Sequence, residues 1–151
     1  MELPHRQKLP HEVPLWVDPH KETYFVTVNC QQRGTNQLAI ATVAEPLLES
    51  VRFRNERFVW FAHLFLVMPD HVHGQLSFPP SPNTLYETIS LWKRWTARQL
   101  GVVWQRDFFE HRLRSDESRR DKADYILANP VRKGLVKQPQ DWPWVLFPAA
   151  W

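Results

Sequence analysis

The stretch Met68–Gly74 (MPDHVHG) joins two apolar runs, and the interpretation of the whole chain starts from it. Residues 58–68 (FVWFAHLFLVM) lead into it and residues 73–78 lead out of it. Proline fixes one backbone angle and aspartate can bond its own backbone, so the Met-Pro-Asp segment predicts a tight turn between two strands. His71 and His73 then lie two residues apart on a strand, where their side chains share one face.

The histidine pair has two interpretations. Side chains two apart on a strand are separated by roughly 6–7 Å, so both imidazoles could bind one metal ion. One histidine could equally pack in the core while the other caps the turn. The pattern alone leaves both interpretations open, and a site needs partners elsewhere in the chain.

Length and composition favour one domain over residues 1–151, with 43% hydrophobic residues to build a core. Residues 1–20 are rich in proline and predict an extended arm, laid on the domain through Leu15 and Trp16. A single cysteine, Cys30, excludes an intrachain disulfide and a cysteine-based zinc cluster. We see no leader peptide, and the longest apolar run is too short to span a bilayer, so we expect a cytoplasmic protein.

The positive charge is concentrated in the second half of the chain. The net charge is only +3, yet residues 93–133 hold eleven basic and six acidic residues. A basic half suggests a polyanionic partner such as nucleic acid, although solvated helix faces give the same count.

Periodicity predicts an α+β protein with the order strand, helix, strand, strand, helix, strand and a further helix. Apolar spacing over 39–55 predicts the first helix, and Pro46 would fall in its first turn if the helix starts near 44 or 45. Asn83 or Thr84 caps the second helix and Gly101 ends it, while Asn129-Pro130 stops the third. Three strands are expected at 23–30, 58–68 and 71–78, and a fourth, with weaker alternation, at 102–105 with 107–114. The other two helices are expected at 84–100 and 115–129.

This order matches the ferredoxin-like β-α-β-β-α-β motif, an antiparallel sheet with two helices on one face. The last helix would then cover the opposite face, where the histidines point. His63, alone inside an apolar strand, is assigned to the core. The tail 131–151 is predicted to be irregular, with Trp142, Trp144 and Phe147 as its anchors.

Tyr125 and Asn129 are four residues apart and therefore share a face of the last helix. Two imidazoles and one amide oxygen leave open positions on a divalent ion, with Mg²⁺ or Mn²⁺ as the candidates. Helix spacing by itself favours the simpler interpretation, in which Tyr125 fills the helix–sheet interface and Asn129 caps the helix.

Several motifs, in order and spacing, give the chain a family resemblance. Met68–His73 resembles the histidine–hydrophobic–histidine (HUH) motif of single-strand endonucleases, and 125–136 resembles the tyrosine helix of their single-tyrosine transposase branch. Trp104–Arg114 and Asp141–Trp144 are also typical of the REP-associated tyrosine transposases. The resemblance covers roughly residues 20–147.

The resemblance implies a catalytic role for Tyr125, which would attack a phosphodiester in single-stranded DNA and form a 5′-phosphotyrosine link with a free 3′-hydroxyl. It implies His71, His73 and Asn129 as metal ligands, the Asn being typical of the REP-associated group where insertion-sequence relatives carry Gln. Many relatives have Asn at position 70. Because Asp70 is a turn residue, we expect that difference to leave the chemistry unchanged.

The implied partner is a DNA hairpin flanked by a short recognition sequence, and the protein is expected near the nucleoid as a monomer or a homodimer. Two alternatives stay open, a catalytically idle hairpin-binding protein and a metal-dependent hydrolase of small phosphoesters. Phosphate contacts are expected from the basic residues of the second half, Lys93, Arg94, Arg98, Arg112, Arg114, Arg119, Arg120, Arg132 and Lys133.

Overall fold

The computed structural model describes residues 22–147. The N-terminal arm and the last four residues lie outside this range. Five strands form one antiparallel sheet in the order β4-β1-β3-β2-β5. The elements in chain order are β1 (Thr23–Asn29), α1 (Ala41–Glu56), β2 (Phe61–Val67), β3 (His71–Ser77), α2 (Leu85–Leu100), β4 (Phe109–Leu113), α3 (Asp116–Leu127), α4 (Asn129–Arg132) and β5 (Val145–Leu146).

The first four strands have the order of the ferredoxin-like motif, and the predicted fold class is confirmed. Alternation along β1 sends Tyr24, Val26 and Val28 into the larger core, which also takes the buried faces of α1 and α2. The intervening side chains of β1, and His71 and His73 on β3, lie on the other face. That face is covered by α3, as the sequence predicted.

Helix α1 begins at Ala41, before the start near 44 or 45 that would place Pro46 in its first turn. The backbone N–H groups of Val43 and Ala44 both donate to the carbonyl of Ile40, so helical bonding starts before Pro46. The proline therefore stands inside the helix and not in its first turn, which corrects the prediction. A proline there removes one helical hydrogen bond, and the burial of Leu47 and Val51 against the sheet offsets that loss.

The predicted limits of α2 are confirmed at both ends. The Thr84 hydroxyl accepts from the backbone N–H of Glu87 at 3.1 Å, which satisfies one of the otherwise unpaired donors of the first turn. Gly101 has a φ of 71°, the left-handed conformation that glycine adopts without strain at a helix end.

Helix α3 stops two residues before the predicted end. Ser115 caps it, accepting from the backbone N–H of Ser118 at 3.1 Å. The last helical residue is Leu127, and a separate short helix, α4, starts at Asn129. Pro130 sits in the first turn of α4, where its missing N–H costs nothing, so it starts a helix as well as ending one.

The tail is more ordered than predicted. Val145–Leu146 pairs with Phe65 and Leu66 as the edge strand β5, and the Trp142 indole N–H donates to the Val67 carbonyl at 3.0 Å. The prediction of an irregular tail is therefore wrong for this part. Trp142 and Trp144 are anchors, but Phe147 is 59% exposed and is not one. Of the stretch 102–105, only Trp104 forms a bridge, to Cys30.

Ile126 fixes α3 to the sheet. Its side chain is fully buried with Leu64, Leu66 and Met68, one residue from Tyr125. We expect Ile126→Ala to lower the free energy of unfolding by about 2–5 kcal/mol, and Ile126→Val by about 0.5–1.5 kcal/mol. Equilibrium denaturation measures both losses, and equal losses in the two variants would contradict the packing described here.

Candidate active site

The two histidines are buried side by side on β3, with ring centroids 4.7 Å apart. The Nδ1 atom of His71 lies 2.7 Å from Asp70 Oδ1, and the Nδ1 atom of His73 lies 2.9 Å from the hydroxyl of Thr27 on β1. Phe25 stacks on the His73 ring at 5.3 Å. Both imidazoles are therefore held through Nδ1, which leaves the Nε2 atoms for a ligand.

Burial keeps both imidazoles neutral. It lowers the pKa of His71, although the neighbouring Asp70 carboxylate acts in the opposite direction. It lowers the pKa of His73 to about 3, with further contributions from His71 and from the positive charges of Arg132, Lys122 and Arg33. A neutral imidazole has a lone pair to donate, which is the state that metal binding requires.

Asn129 connects the end of the tyrosine-bearing segment to the histidines. Its side chain is buried, and its Nδ2 atom lies 3.3 Å from His71 Nε2, although the two residues are 58 apart in sequence. The oxygen and nitrogen of an amide exchange places by a half-turn about the last side-chain bond. The amide can therefore present either a donor or an oxygen ligand at this point.

Tyr125, on α3 four residues before Asn129, is 50% exposed. Two cations lie over its ring, with Arg132 Cζ at 3.9 Å and Lys122 Nζ at 5.0 Å from the ring centroid. Lys122 also lies 4.7 Å from the ring of Phe25, which stacks on His73. The tyrosine thus shares its neighbours with the histidines, and its surroundings are positive where a phosphate would approach.

The donor set fits a divalent cation of the Mg²⁺ or Mn²⁺ kind. His71, His73 and Asn129 would hold it with two neutral imidazoles and one amide oxygen, and solvent or phosphate oxygen would complete the coordination. Across residues 22–147, no group of three or more His, Cys, Asp or Glu side chains could hold a metal ion, so any such site needs the amide.

Asp70 belongs to this group as well as to the turn, because its carboxylate contacts His71. Its Oδ1 atom contacts His71, while its Oδ2 atom accepts from the Gly34 backbone N–H at 2.8 Å and lies 3.5 Å from Arg33 Nε. Burial raises the pKa of Asp70, but the hydrogen bonds from Gly34 and His71 and the Arg33 charge outweigh it and lower that pKa below its ordinary value. The carboxylate is thus ionised at neutral pH.

The nine basic residues predicted to bind DNA do not form one surface. Arg132 and Lys133 follow Asn129 in the chain. The charge of Arg132 contributes to lowering the pKa of His73, and that of Lys133 to lowering the pKa of His71. Arg120 is exposed on α3. Arg119 is also on α3, and its backbone carbonyl accepts a hydrogen bond from the Gln75 side chain. The charge of Arg119 contributes to lowering the pKa of His63.

The remaining candidates lie elsewhere, and one of them has a structural role. The Lys93 ammonium donates to the carbonyls of Gln105 and Asp107 at 2.8 and 3.3 Å, which ties α2 to the segment before β4. Arg112 pairs with Tyr24 and so faces the α1/α2 side of the sheet. Arg94 and Arg98 are exposed on α2, in that same layer, and Arg114 is exposed after β4.

Sequence reasoning missed the residues that support the site, namely Phe25, Thr27, Arg33, Gly34 and Lys122. Two signals were present. Alternating positions on a neighbouring strand point at the histidine face, which would have identified Phe25 and Thr27 once β1 was paired with β3. Lys122 is three residues before Tyr125, a spacing that makes two helical side chains neighbours.

The buried neutral state of His73 makes acid stability a test of this geometry. The folded pKa of about 3 lies below the unfolded value of 6.5, so the unfolded chain binds more protons between these pH values and stability falls as pH drops through that window. Between pH 7.5 and pH 5, protonation of this one group in the unfolded chain lowers the free energy of unfolding by roughly 2 kcal/mol.

We therefore expect His73→Gln to lose about 2 kcal/mol less stability over that pH range than the unmodified chain. Urea denaturation with a chelator present measures the difference. Parallel pH dependence in the two proteins would show that His73 titrates normally in the folded state.

Two known proteins are similar to this chain in sequence. A REP-associated tyrosine transposase of Escherichia coli K12 is 30% identical over 128 residues, which cover 83% of this chain and 76% of the relative. A relative from Haemophilus influenzae is 26% identical over 140 residues, 82% of this chain and 78% of its own length. No protein-family model matches the chain.

A solved structure has the same fold as this chain. The structure of a REP-associated tyrosine transposase bound to a REP hairpin superposes with a TM-score of 0.74 at 24% identity, covering 95% of this chain and 91% of the other. Among the described residues, no helix has the length and apolar character of a membrane span.

The fold and these relatives define a transposase, a DNA-processing enzyme. The chain belongs to the family of REP-associated tyrosine transposases.

Proposed function

We propose that the protein is a metal-dependent, sequence-specific endonuclease and strand-transferase for single-stranded DNA beside a hairpin. The observation that carries the proposal is the 3.3 Å contact between Asn129 and His71. It places the segment that follows the Tyr125 helix against the histidine strand within one chain. This contact supports a single site that combines the Tyr125 phenol, the two neutral imidazoles and the Asn129 amide.

The proposed reaction is a phosphoryl transfer to Tyr125. The phenol oxygen attacks the phosphorus of the scissile phosphodiester and loses its proton, and the bond from phosphorus to the 3′-oxygen breaks. The 3′-oxygen leaves with a proton as a free hydroxyl, while the 5′ side stays linked to the tyrosine. The reverse attack by a 3′-hydroxyl rejoins DNA, and the phosphotyrosine bond conserves the energy for it.

The chain's own residues would bind and orient the reactants. His71, His73 and Asn129 would hold a divalent cation, Mg²⁺ or Mn²⁺, which stabilises negative charge on the scissile phosphate and on the leaving oxygen. Arg132 and Lys122 flank the ring of Tyr125 and would attract the DNA backbone to it.

The substrate assignment rests on the relatives, one of which is described as bound to a REP hairpin. For this chain we propose a hairpin with a single-stranded flank, held by the cations around Tyr125. We also propose that one chain suffices for the cleavage, because Ile126 and Asn129 fix the tyrosine segment to their own sheet.

The experiment is a covalent-adduct assay. A labelled REP-type hairpin with single-stranded flanks is incubated with the protein and Mn²⁺ or Mg²⁺, then denatured in detergent. We expect a labelled band of protein–DNA size that depends on the metal and disappears with chelator. A small phosphoester such as p-nitrophenyl phosphate should not be turned over.

Two outcomes would overturn the proposal. Tight hairpin binding without an adduct under any metal would assign the chain to idle hairpin-binding proteins. Turnover of the small phosphoester without DNA would assign it to metal-dependent hydrolases. Both alternatives are thereby tested in the same set of reactions.

A further inference from the structure

The Asp70 carboxylate is held by three groups in the turn that starts β3. Met68 and His71 close this turn through a 2.8 Å backbone hydrogen bond, so Asp70 is one of its two central residues. One carboxylate oxygen contacts His71 Nδ1 at 2.7 Å, and the other accepts from Gly34 N–H at 2.8 Å and faces Arg33. Each oxygen therefore has a different partner.

An ionised carboxylate only accepts hydrogen bonds. The short contact to Oδ1 therefore requires His71 to carry its proton on Nδ1, since a neutral imidazole has one donor and one acceptor nitrogen. The lone pair must then be on Nε2, where Asn129 Nδ2 donates to it at 3.3 Å.

We propose that Asp70 is a positioning residue that fixes His71 in the Nδ1–H tautomer, with its Nε2 lone pair directed into the site. The consequence of this tautomer for metal binding rests on the proposed function, because Nε2 is the atom that would bind the cation. The orientation of the imidazole can be tested without any metal.

The loop 31–36 provides the second half of this arrangement. Arg33 Nη1 donates to the Asn29 side-chain oxygen at 2.5 Å and to the Asp70 carbonyl at 3.2 Å, which holds the guanidinium beside Asp70. Gly34 has a φ of 86°, a conformation that glycine adopts without strain, and its N–H donates to Oδ2. The carboxylate is therefore fixed on both of its oxygens.

With Gly34 and Arg33 placed as they are in this chain, an asparagine at position 70 could not make the same contacts. It has one acceptor oxygen, whereas Gly34 N–H and His71 Nδ1–H are both donors. If the oxygen faces Gly34, the amide N–H₂ faces His71 and favours the tautomer with its proton on Nε2. In that tautomer the lone pair is on Nδ1, so Nε2 has none for a cation. If the oxygen faces His71, the amide N–H₂ meets the donors of Gly34 and Arg33.

The test compares the unmodified chain with Asp70→Asn and Asp70→Ala, and uses Asp116→Asn as the matched control on an exposed carboxylate. Long-range nitrogen–proton NMR of the metal-free proteins at neutral pH reports the His71 tautomer directly. Calorimetric titration with Mn²⁺ reports affinity, and a thermal melt reports folding.

We expect Nδ1–H at His71 in the unmodified chain and the control, and a shift towards Nε2–H in Asp70→Asn. Loss of such a supporting contact typically weakens metal affinity by about 10–100-fold, which we expect for Asp70→Asn while its thermal melt stays cooperative. Asp70→Ala should give a mixture of tautomers and a similar loss of affinity.

An unmodified chain with Nε2–H at His71, or an Asp70→Asn variant with unchanged tautomer and affinity, would overturn the inference. A changed tautomer with unchanged affinity would overturn its consequence for metal binding. If the unmodified chain holds Nδ1–H and binds no Mn²⁺, the orienting role of Asp70 is supported and the proposed metal-dependent function fails.

Discussion

Replacing Tyr125 with Phe is expected to abolish the covalent protein–DNA adduct and to leave hairpin binding intact. The change removes only the phenol oxygen, which is the proposed nucleophile, and a nucleophile that acts as part of a site typically contributes on the order of 1,000-fold or more in rate. The aromatic ring remains, so Arg132 and Lys122 keep their contacts with it. Gel-shift and detergent-resistant adduct assays measure the two properties separately.

Tyr86→Phe is the matched control for this change. Tyr86 is stacked on Phe108 between α2 and the segment before β4, in the layer away from the histidines. Its variant should form the adduct at a rate within about 2–3-fold of the unmodified chain, the usual scatter of individual contributions. An adduct that survives in Tyr125→Phe would assign the nucleophile to another residue.

The sequence predicted the fold well where local signals decide it. The turn at Pro69 and Asp70, the capping threonine and the terminal glycine of α2 each act within a few residues, so their effects can be recognised from neighbours in the chain. Strand β5 was missed for the opposite reason. Two residues, Val145–Leu146, are too few to show alternation, and only their pairing with β2 makes them a strand.

The site could be only partly predicted. Pattern and family resemblance identified His71, His73, Tyr125 and Asn129, and the structure brings the first two and Asn129 together. The resemblance could not show which other residues orient them. Arg33 and Gly34 come from a polar loop with no pattern of its own, and they reach Asp70 only because β1 and β3 pair.

Lys93 shows the limit of reasoning from charge. A helical wheel places it off the apolar stripe of α2, where a lysine is usually solvated. The structure instead uses its ammonium to cross to the carbonyls of Gln105 and Asp107, contacts that no local pattern encodes. The basic count of residues 93–133 thus overstates the surface available to DNA at the tyrosine.

Replacing either of the two histidines proposed as metal ligands is expected to remove metal binding and adduct formation together. His71→Ala or His73→Ala takes away one of the two imidazoles, and the loss of Mn²⁺ affinity should exceed the roughly 100-fold that loss of a supporting contact costs. Hairpin binding measured with chelator should change little, because the cations around Tyr125 stay in place. Calorimetric titration, the adduct assay and a gel shift follow the three properties.

His63→Ala is the control that separates a ligand role from the general effect of deleting a partly buried histidine. His63 lies on the neighbouring strand, its pKa is also lowered by burial, and its Nε2 atom contacts the Ser77 hydroxyl at 2.7 Å. Its variant should lose stability but retain Mn²⁺ affinity within about 2–3-fold. If His63→Ala and His71→Ala lose affinity equally, the effect comes from the fold and the ligand assignment fails. If only the β3 histidines matter, the pair in the MPDHVHG stretch is the metal-binding half of the site.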